Sequence, residues 1–125
     1  MAEREPLTPP PGDDPQRIVR ISHTIIQNAI QDHAAEITVE PRAENVTVLF
    51  RINGVIEEKM KMPLAIRGPL IARYKQMAEM DPDRQDQPQQ GRIAISMAGR
   101  DYDLDTRAEP APEGERIVIA IHEKT

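Results

Sequence analysis

The dipeptide Asn53-Gly54 constrains the fold of this chain more than any other feature of its sequence. Both residue types tolerate the positive φ angles of a two-residue turn, which makes this pair a strong hairpin signal. Apolar residues recur at every second position before the turn, and more follow after it: Val46, Val48, Phe50 and Ile52, then Val55, Ile56, Met60 and Met62. The sequence therefore predicts a β-hairpin over residues 46–62.

Helical spacing predicts a first helix ahead of this hairpin. Asp13-Asp14-Pro15 combines an acidic N-cap with a proline at the first helical position. Apolar residues then recur every three or four positions, at Ile18, Ile21, Ile25 and Ala29. We expect an amphipathic helix over residues 14–33, followed by an alternating strand over 36–40 that Pro41 ends.

A second helix and three more strands are predicted after the hairpin. The helical stretch opens at Pro63, where Gly68-Pro69 favours a kink or a late start near residue 69. It should end at Asp81-Pro82, since the residue before proline avoids the α region. A polar loop follows over residues 83–90. Alternation then predicts strands over 93–97, 101–105 and 116–123, with a turn at residues 98–99 and a loop over 109–114.

The predicted order of elements is α-β-β-β-α-β-β-β. Short turns between neighbouring strands favour antiparallel pairing, so we expect an α+β domain in which two helices pack on a mainly antiparallel sheet of about six strands. A chain of 125 residues fits one such domain. Five of the twelve prolines lie in the first fifteen residues, so residues 1–12 are predicted to be a flexible proline-rich tail and residues 13–125 the domain.

Composition excludes several classes of function. Sixteen basic and twenty-one acidic residues give a net charge of −5, which does not favour binding to nucleic acid or to an anionic membrane surface. There is no cysteine, and no apolar run approaches the roughly 18 residues of a membrane span. The N-terminus has no secretory signal pattern. We therefore expect a cytoplasmic protein without direct membrane insertion.

Catalytic, cofactor and metal motifs are not found in the sequence. None of the six glycines precedes a lysine, so there is no phosphate-binding loop. Asp101, Asp103 and Asp105 resemble the start of a calcium loop, but the position that needs a bidentate glutamate is Pro112. The three histidines lie on separate predicted elements, at His23, His33 and His122. We expect no metal, no cofactor and no enzymatic activity.

Three arginines are candidate contacts for a phosphate or a partner. Arg51 lies on the non-core face of the hairpin, Arg92 follows Gly91 at a strand start, and Arg116 closely follows Gly114. An arginine behind a glycine, where the backbone can approach a partner, can hold a phosphate or a carboxylate. The other interpretation is a salt bridge to a neighbouring Asp or Glu. The sequence leaves both open.

Several stretches, taken together, resemble one known domain. Residues 34–41 (AAEITVEP) and 50–56 (FRINGVI) resemble the signature "ASDIHIEP … RxRIDGVL". This signature marks the N-terminal (N2, PAS-like) domain of the type II secretion and type IV pilus assembly ATPases. Residues 73–78, 88–93, 103–104 and 114–118 resemble its later motifs "RIKxMA", "PQDGRI", "DLR" and "GERVV" in the same order. The resemblance covers about residues 15–124 and implies the predicted order of elements.

The resemblance also implies roles for particular residues. In that family a RecA-like motor domain follows the N2 domain, the ATPase is a hexamer, and N2 arginines reach the nucleotide phosphates. Arg92 matches the arginine of "PQDGR". Among the departures from the pattern, Asp105 replaces the arginine of "DLR", Thr38 the signature histidine, and Gln90 the aspartate of "PQDG". A carboxylate at 105 would repel a phosphate, and the sequence ends at Thr125, where the motor would begin.

These observations favour a non-catalytic protein-interaction module. We expect it to dock onto or regulate a secretion or pilus assembly ATPase, or the membrane platform of such an assembly. Two alternatives stay open. One is a self-associating structural domain that forms a homo-oligomer, or else a relic fragment of a secretion ATPase. The other is a PAS-like sensor with a small ligand in a core cavity.

Overall fold

The computed structural model describes residues 15–124, so the predicted tail over 1–12 and the helix cap at Asp13-Asp14 lie outside the described residues. The helices are α1 (Pro15–Gln31) and α2 (Arg67–Met77), and a short 3-10 turn (Leu64–Ile66) precedes α2. The strands are β1 (Glu36–Pro41), β2 (Asn45–Ile52), β3 (Val55–Pro63), β4 (Gln89–Met97), β5 (Arg100–Ala111) and β6 (Gly114–Glu123). The predicted order and the α+β class are confirmed.

All six strands form one antiparallel sheet with the order β3-β2-β1-β6-β5-β4. The predicted hairpin is confirmed, because β2 and β3 pair from Ile52↔Val55 outwards. Its turn residues Asn53 and Gly54 have φ angles of 53° and 79°, as a type I′ turn requires. The pairing of β1 with β6 joins the two halves of the sheet at its centre.

Both helices cover the same face of this sheet, which we call the inner face. Strand alternation directs Ile37 of β1 and Ile119 of β6 to this side, and both are fully buried there with Ile25 of α1 and Leu70 of α2. The hydroxyl of Tyr74 donates a hydrogen bond of 2.9 Å to the carbonyl of Ser22, which ties α2 to α1. The opposite side, the outer face, carries mostly polar side chains.

The predicted end of the second helix at Asp81-Pro82 is wrong. Helix α2 ends at Met77, because Glu79 adopts a left-handed φ of 61° and reverses the chain. The N–H of Met80 donates to the carbonyl of Lys75 at 2.8 Å, a hydrogen bond typical of a helix C-terminus. The late start is closer to the prediction, since α2 begins at Arg67 after the 3-10 turn.

The predicted loop over residues 109–114 is also wrong. Strand β5 runs to Ala111 and β6 begins at Gly114, so only Pro112-Glu113 forms the turn. Pro110 is compatible with strand β5 because the neighbouring strand β4 pairs with β5 only as far as Ala108. The missing N–H of the proline therefore interrupts no hydrogen bond to β4.

Candidate functional site

All six residues that the sequence singles out lie on the outer face of the sheet. Each occupies a position opposite in phase to the inner-face residues of its strand. The six are Arg51 on β2, Thr38 on β1, Arg116 on β6, Asp105 on β5, and Gln90 and Arg92 on β4. The fold thus brings to one surface residues that are up to 78 positions apart in sequence (116 − 38).

The strand register aligns five of the outer residues in one row across the sheet. Arg51 lies opposite Glu36, Glu36 opposite Ala120, Ala120 opposite Asp105, and Asp105 opposite Arg92. Four strand spacings of about 4.8 Å separate the ends of this row, so the backbones of Arg51 and Arg92 are about 19 Å apart. The two guanidinium groups lie at opposite ends of this row and contact different carboxylates, Glu36 and Asp105.

Arg51 and Arg116 are both paired with carboxylates. Nη2 of Arg51 is 3.3 Å from Oε1 of Glu36. Arg116 binds Glu40 with both arms, Nε to Oε1 at 2.6 Å and Nη2 to Oε2 at 3.1 Å. The hydrogen bonds to Glu40 raise the pKa of Arg116 above its usual value. Arg51 and Arg116 thus form salt bridges to neighbouring carboxylates, one of the two interpretations that the sequence leaves open.

Arg92 is the most exposed of the three arginines, and two carboxylates lie near it. Its side chain is 66% exposed, with Nη1 3.9 Å from Oδ2 of Asp103 and Nε 3.8 Å from Oδ1 of Asp105. Asp105 also lies 3.2 Å from Nε2 of His122. A phosphate that approached Arg92 would meet two negative charges beside the positive one.

The centre of the outer face is smaller and less polar than its surroundings. Val118 is buried there, and Thr38 and Ala120 are half-buried beside it. A shallow cleft of about 140 Å³ lies at this centre, between Asp105 and Val118. The outer face therefore has a small, less polar centre within a charged rim.

The two glycines that precede the candidate arginines serve the fold. A Cβ on Gly91 would lie 2.2 Å from the carbonyl oxygen of Ala78, so only glycine allows the loop after α2 to pack on β4. Gly114, at the turn between β5 and β6, has a φ of 133°, an angle that residues with a side chain rarely adopt. Here the close backbone approach is internal to the chain.

Sequence reasoning missed a buried ion pair between Lys75 of α2 and Glu115 of β6. Nζ of Lys75 is fully buried and donates to Oε1 and Oε2 of Glu115 at 2.8 and 3.0 Å and to the carbonyl of Arg84 at 2.6 Å. A signal was present, because Lys75 follows buried Ile71 by one helical turn and Glu115 is in phase with buried Ile117. Two opposite charges at core-facing positions indicate a partner for each.

Gln89 holds the same loop from its other end. The N–H of Asp81 donates to Oε1 of Gln89 at 2.9 Å, and Nε2 of Gln89 donates to the carbonyls of Asp81 and Arg84 at 2.9 and 3.1 Å. Lys75 and Gln89 therefore both bind the carbonyl of Arg84. Together they fix the loop over residues 78–88, which leads into β4 and Arg92.

A surface cleft of about 490 Å³ lies beside the buried pair, between α2 and the turn of β5 and β6. Arg67 spans one side of it and donates from Nη1 to the carbonyl of Glu113 at 3.0 Å. Gly68, Gln85 and Glu113 in its lining are exposed, so the cleft opens to solvent. It is not the enclosed core cavity that the sensor alternative expects.

Over residues 15–124, no cluster of three or more His, Asp or Glu side chains is arranged to hold a metal ion. Neither helix in this part of the chain has the length and apolar character needed to cross a membrane.

Comparison with known proteins identifies relatives of this chain. The sequence profile of the family described as "Type II/IV secretion system protein" matches residues 12–125. The chain is 32% identical to Type II secretion system protein E of Pseudomonas aeruginosa, over 99% of this chain and 24% of that protein. It is 34% identical to Type IV pilus assembly ATPase PilB of Myxococcus xanthus, over 90% of this chain and 20% of that protein. It is 31% identical to Type II secretion system protein HxcR of Pseudomonas aeruginosa, over 86% and 23%.

The chain thus spans about a fifth to a quarter of the length of the curated relatives it matches. The matched range and the signature stretches of the sequence agree, since both extend over nearly all of the described residues. This chain belongs to the type II/IV secretion system protein family and is related to the N-terminal region of its secretion and pilus assembly ATPases.

Proposed function

We propose that this domain is a non-catalytic protein-interaction module that docks through its outer face onto a secretion or pilus assembly ATPase, or onto the membrane platform of that assembly. One observation carries the proposal. Three departures from the family pattern that change the polar or charged character of a residue, Thr38, Gln90 and Asp105, lie on the outer face. In the part of the chain that the structure describes, this is the side of the sheet opposite the two helices.

Electrostatics supports a protein partner over a nucleotide at this face. Two unit charges 4 Å apart near a protein surface interact by about 4 kcal/mol. Arg92 attracts a phosphate, while Asp103 and Asp105, both within 3.9 Å of its guanidinium, repel it, and Lys124 beside Asp103 offsets part of that repulsion. In the family pattern, position 105 would add a second attraction instead. The positive and negative charges around Arg92 therefore nearly cancel, and they do not favour binding of a phosphate.

The shape of the face supports the same partner class. Half-buried Thr38 and Ala120 flank buried Val118, and paired arginines surround them. Such paired side chains are already held in one geometry, so a partner need not order them again on binding. A flat, complementary protein surface can cover this centre while the charged rim selects its orientation.

Direct binding to an assembly ATPase tests the proposal. The full chain, immobilised on a biosensor, is titrated with the purified secretion or pilus assembly ATPase of the same cell, and the ATPase rate is followed in parallel. Ala120→Glu adds a negative charge at the centre of the outer face and should weaken saturable binding at least about tenfold, or about 1.4 kcal/mol. Ala65→Glu, the same change at an exposed position before α2, should leave binding unchanged.

Two results would contradict the proposal. One is the absence of saturable binding to any of these ATPases and their platform proteins. The other is hydrolysis of ATP by the purified chain, or binding of Mg-ATP much tighter than about 1 mM. Asp105→Arg restores the family residue and should raise the affinity for phosphate if the geometry around Arg92 is still that of a clamp.

Self-association is a second candidate function, because the tip of the β2–β3 hairpin is apolar. Val55 and Ile56 are 58% and 52% exposed there. Contact between two such tips would remove these side chains from water. Light scattering decides this candidate: a particle that stays monomeric at high micromolar concentration contradicts it.

A further inference from the structure

We propose that the free edge of strand β4 pairs, in antiparallel orientation, with the same edge of a second copy of this chain. The strand order places β4 at one end of the described sheet and β3 at the other, so each has one side without a neighbouring strand. The contact lies away from the hairpin tip and from the centre of the outer face. The inference therefore goes beyond the proposed function and does not depend on it.

Four residues of β4 direct their backbone groups away from the sheet. The carbonyl of Asp101 on β5 accepts a hydrogen bond from the N–H of Lys124 at 2.8 Å, on the side of β6, so it does not bind its β4 neighbour Ser96. Bonded and non-bonded pairs alternate along an antiparallel ladder. Every second residue of β4 thus points its N–H and its C=O to the free edge: Gln90, Arg92, Ala94 and Ser96. Over residues 15–124, no backbone hydrogen bond from outside the β4–β5 ladder reaches these eight groups.

The two edges of the sheet differ in their protection against pairing with another chain. Four of the nine residues of β3 are charged, and a bulge shifts its register with β2 between Val48 and Leu49. Strand β4 also has nine residues, but Arg92 is its one charged residue, and its register with β5 is continuous. Charged side chains and bulges are the usual means by which an edge strand avoids such pairing. Strand β3 has both, and β4 has neither the charges nor the bulge.

Strand β4 is complementary to itself in one antiparallel register. This register places Ile93 of both copies on the twofold axis. Arg92 then lies opposite Ala94 of the second copy, and Gln90 lies opposite Ser96 of the second copy. All eight outward groups of each strand find a partner, because outward residues pair with outward residues. A register centred on Arg92 would instead bring two like charges together.

The charges beside β4 fit the same register. Within one chain, Ala94 lies opposite Asp103 of β5. Arg92 of one copy therefore shares a row of the outer face with Ala94 and Asp103 of the other, two strand spacings or about 9.6 Å from that Asp103. Arg92 is 66% exposed, and its long side chain can extend over the methyl group of Ala94 towards the carboxylate. The twofold axis repeats this attraction, which favours a second copy over an unrelated strand.

Apolar side chains on the inner side of β4 also favour the contact. Ile95 and Met97 pack against the core but stay partly exposed next to the free edge. In the proposed register Ile95 lies opposite Gly91 of the second copy, which has no side chain that could obstruct it. Pairing would remove part of this apolar surface from water.

Hydrogen exchange at two concentrations of the full chain tests the inference. Exchange of the backbone amides with water is measured by NMR at about 50 µM and at about 1 mM. The amides of Gln90, Arg92, Ala94 and Ser96 should exchange about two- to fourfold more slowly at the higher concentration, because mass action favours the pair. The amide of Ile56 on β3 is the internal control. It also points outward, since the carbonyl of its β2 neighbour Arg51 binds the N–H of Ala35 on the other side, and its exchange should not change.

A charge placed at the proposed contact sharpens this test. Ala94→Lys puts an ammonium group opposite Arg92 of the second copy, and the twofold axis does so twice. It should weaken dimerisation by about two- to thirtyfold. Ile56→Lys adds the same charge at the other edge, where Ile56 is 52% exposed, and should leave dimerisation unchanged. Analytical ultracentrifugation measures the dissociation constants, and a thermal melt of each variant confirms that the fold is intact.

Other contacts give different results. If exchange of the four β4 amides does not depend on concentration, no second copy pairs with this edge and the inference is overturned. If the amide of Ile56 slows instead, or if Ile56→Lys weakens association and Ala94→Lys does not, the copies meet at the hairpin and the inference is overturned as well. Protection that is confined to β4 and reduced in Ala94→Lys supports it. The biosensor titration tests docking to an ATPase separately from these outcomes.

Discussion

Ion pairs in two regions of this domain join similar charged groups in different surroundings. On the outer face, Arg51 and Arg116 pair with carboxylates at 3.3 and 2.6 Å in contact with water. Behind the inner face, Lys75 and Glu115 pair at 2.8 Å with both side chains buried. An exposed pair contributes about 0–1 kcal/mol, whereas removing one partner of a buried pair costs about 3–5 kcal/mol. The distances between the charged atoms do not distinguish the exposed pairs from the buried pair, but the burial of the side chains does.

The residues of the signature stretches accordingly fall into two groups, those that build the fold and those that lie on the outer face. Lys75, Gln89, Gly91 and Glu115 all lie in signature stretches and all build or pack the loop over residues 78–88. Their neighbours on the outer face make no such contacts to the loop. We expect substitutions at Thr38, Gln90 and Asp105 to change the outer face without disturbing this loop.

The largest effect should come from breaking the buried pair. Lys75→Ala leaves the Glu115 carboxylate buried without a partner and should lower the free energy of unfolding by about 3–5 kcal/mol. Urea denaturation measures this loss. Lys61→Ala is the matched control, since Lys61 is exposed and pairs with Glu58 at 3.3 Å, and it should cost less than about 1 kcal/mol.

The double variant Lys75→Met/Glu115→Leu separates lost charge from lost packing. Replacing a buried pair by apolar residues of similar size is often neutral, so the double variant should recover most of the stability that Lys75→Ala loses. If the double variant is as unstable as Lys75→Ala, the energetic distinction between the two regions is contradicted.

A smaller loss is expected from Gly91→Ala. The added Cβ would meet the carbonyl oxygen of Ala78 at 2.2 Å, and the loop must shift to relieve this contact. We expect a loss of about 1–3 kcal/mol in urea denaturation, as for an overpacked site. Gly68→Ala is the control: nothing lies within 4 Å of its Cβ position, and the substitution should be neutral or stabilise α2 by up to about 1 kcal/mol. Equal effects at both glycines would count against the packing argument.

The next effect is smaller and depends on pH. Burial raises the pKa of Tyr74 above its ordinary value near 10. Below pH 10 the neutral hydroxyl donates to the carbonyl of Ser22, and Tyr74→Phe should cost about 1 kcal/mol. Above pH 10 the unfolded chain loses this proton while the folded chain keeps it, so stability falls as pH rises. The wild-type advantage should shrink by up to about 1.4 kcal/mol per pH unit there. Parallel stability curves for the two proteins would contradict this.

The smallest effect should come from the outer face. Arg51→Ala removes the pair with Glu36 and should change the free energy of unfolding by less than about 1 kcal/mol. Salt should reduce this difference further, because exposed charges are screened. A loss comparable to that of Lys75→Ala would erase the distinction between the two regions.

Local patterns predict most of the fold and less of the site. The hairpin at Asn53-Gly54 and the order of elements follow from turn chemistry and alternation. The end of α2 does not, because the reversal at Glu79 depends on hydrogen bonds to the preceding turn rather than on a glycine or proline. The extent of β5 depends on where its neighbour β4 stops, which only the sheet determines.

The candidate site shows the same limit. Alternation assigns Arg51, Arg92 and Arg116 to solvent-facing positions, but it gives neither their spacing nor their partners. The row that joins Arg51 to Arg92 depends on the pairing of β1 with β6, which are about 75 residues apart in the chain. The partnership of Lys75 with Glu115 depends on tertiary packing in the same way.

One measurement tests most directly the claim that the outer face contacts a protein and not a nucleotide. The backbone amides of the ¹⁵N-labelled chain are followed by NMR as an assembly ATPase, and separately Mg-ATP, is added. We expect the ATPase to reduce selectively the signals of Thr38, Val118 and Ala120, and Mg-ATP up to about 1 mM to change none of them. Selective changes around Arg92 on adding Mg-ATP, or an ATPase footprint that spares the outer face, would contradict it.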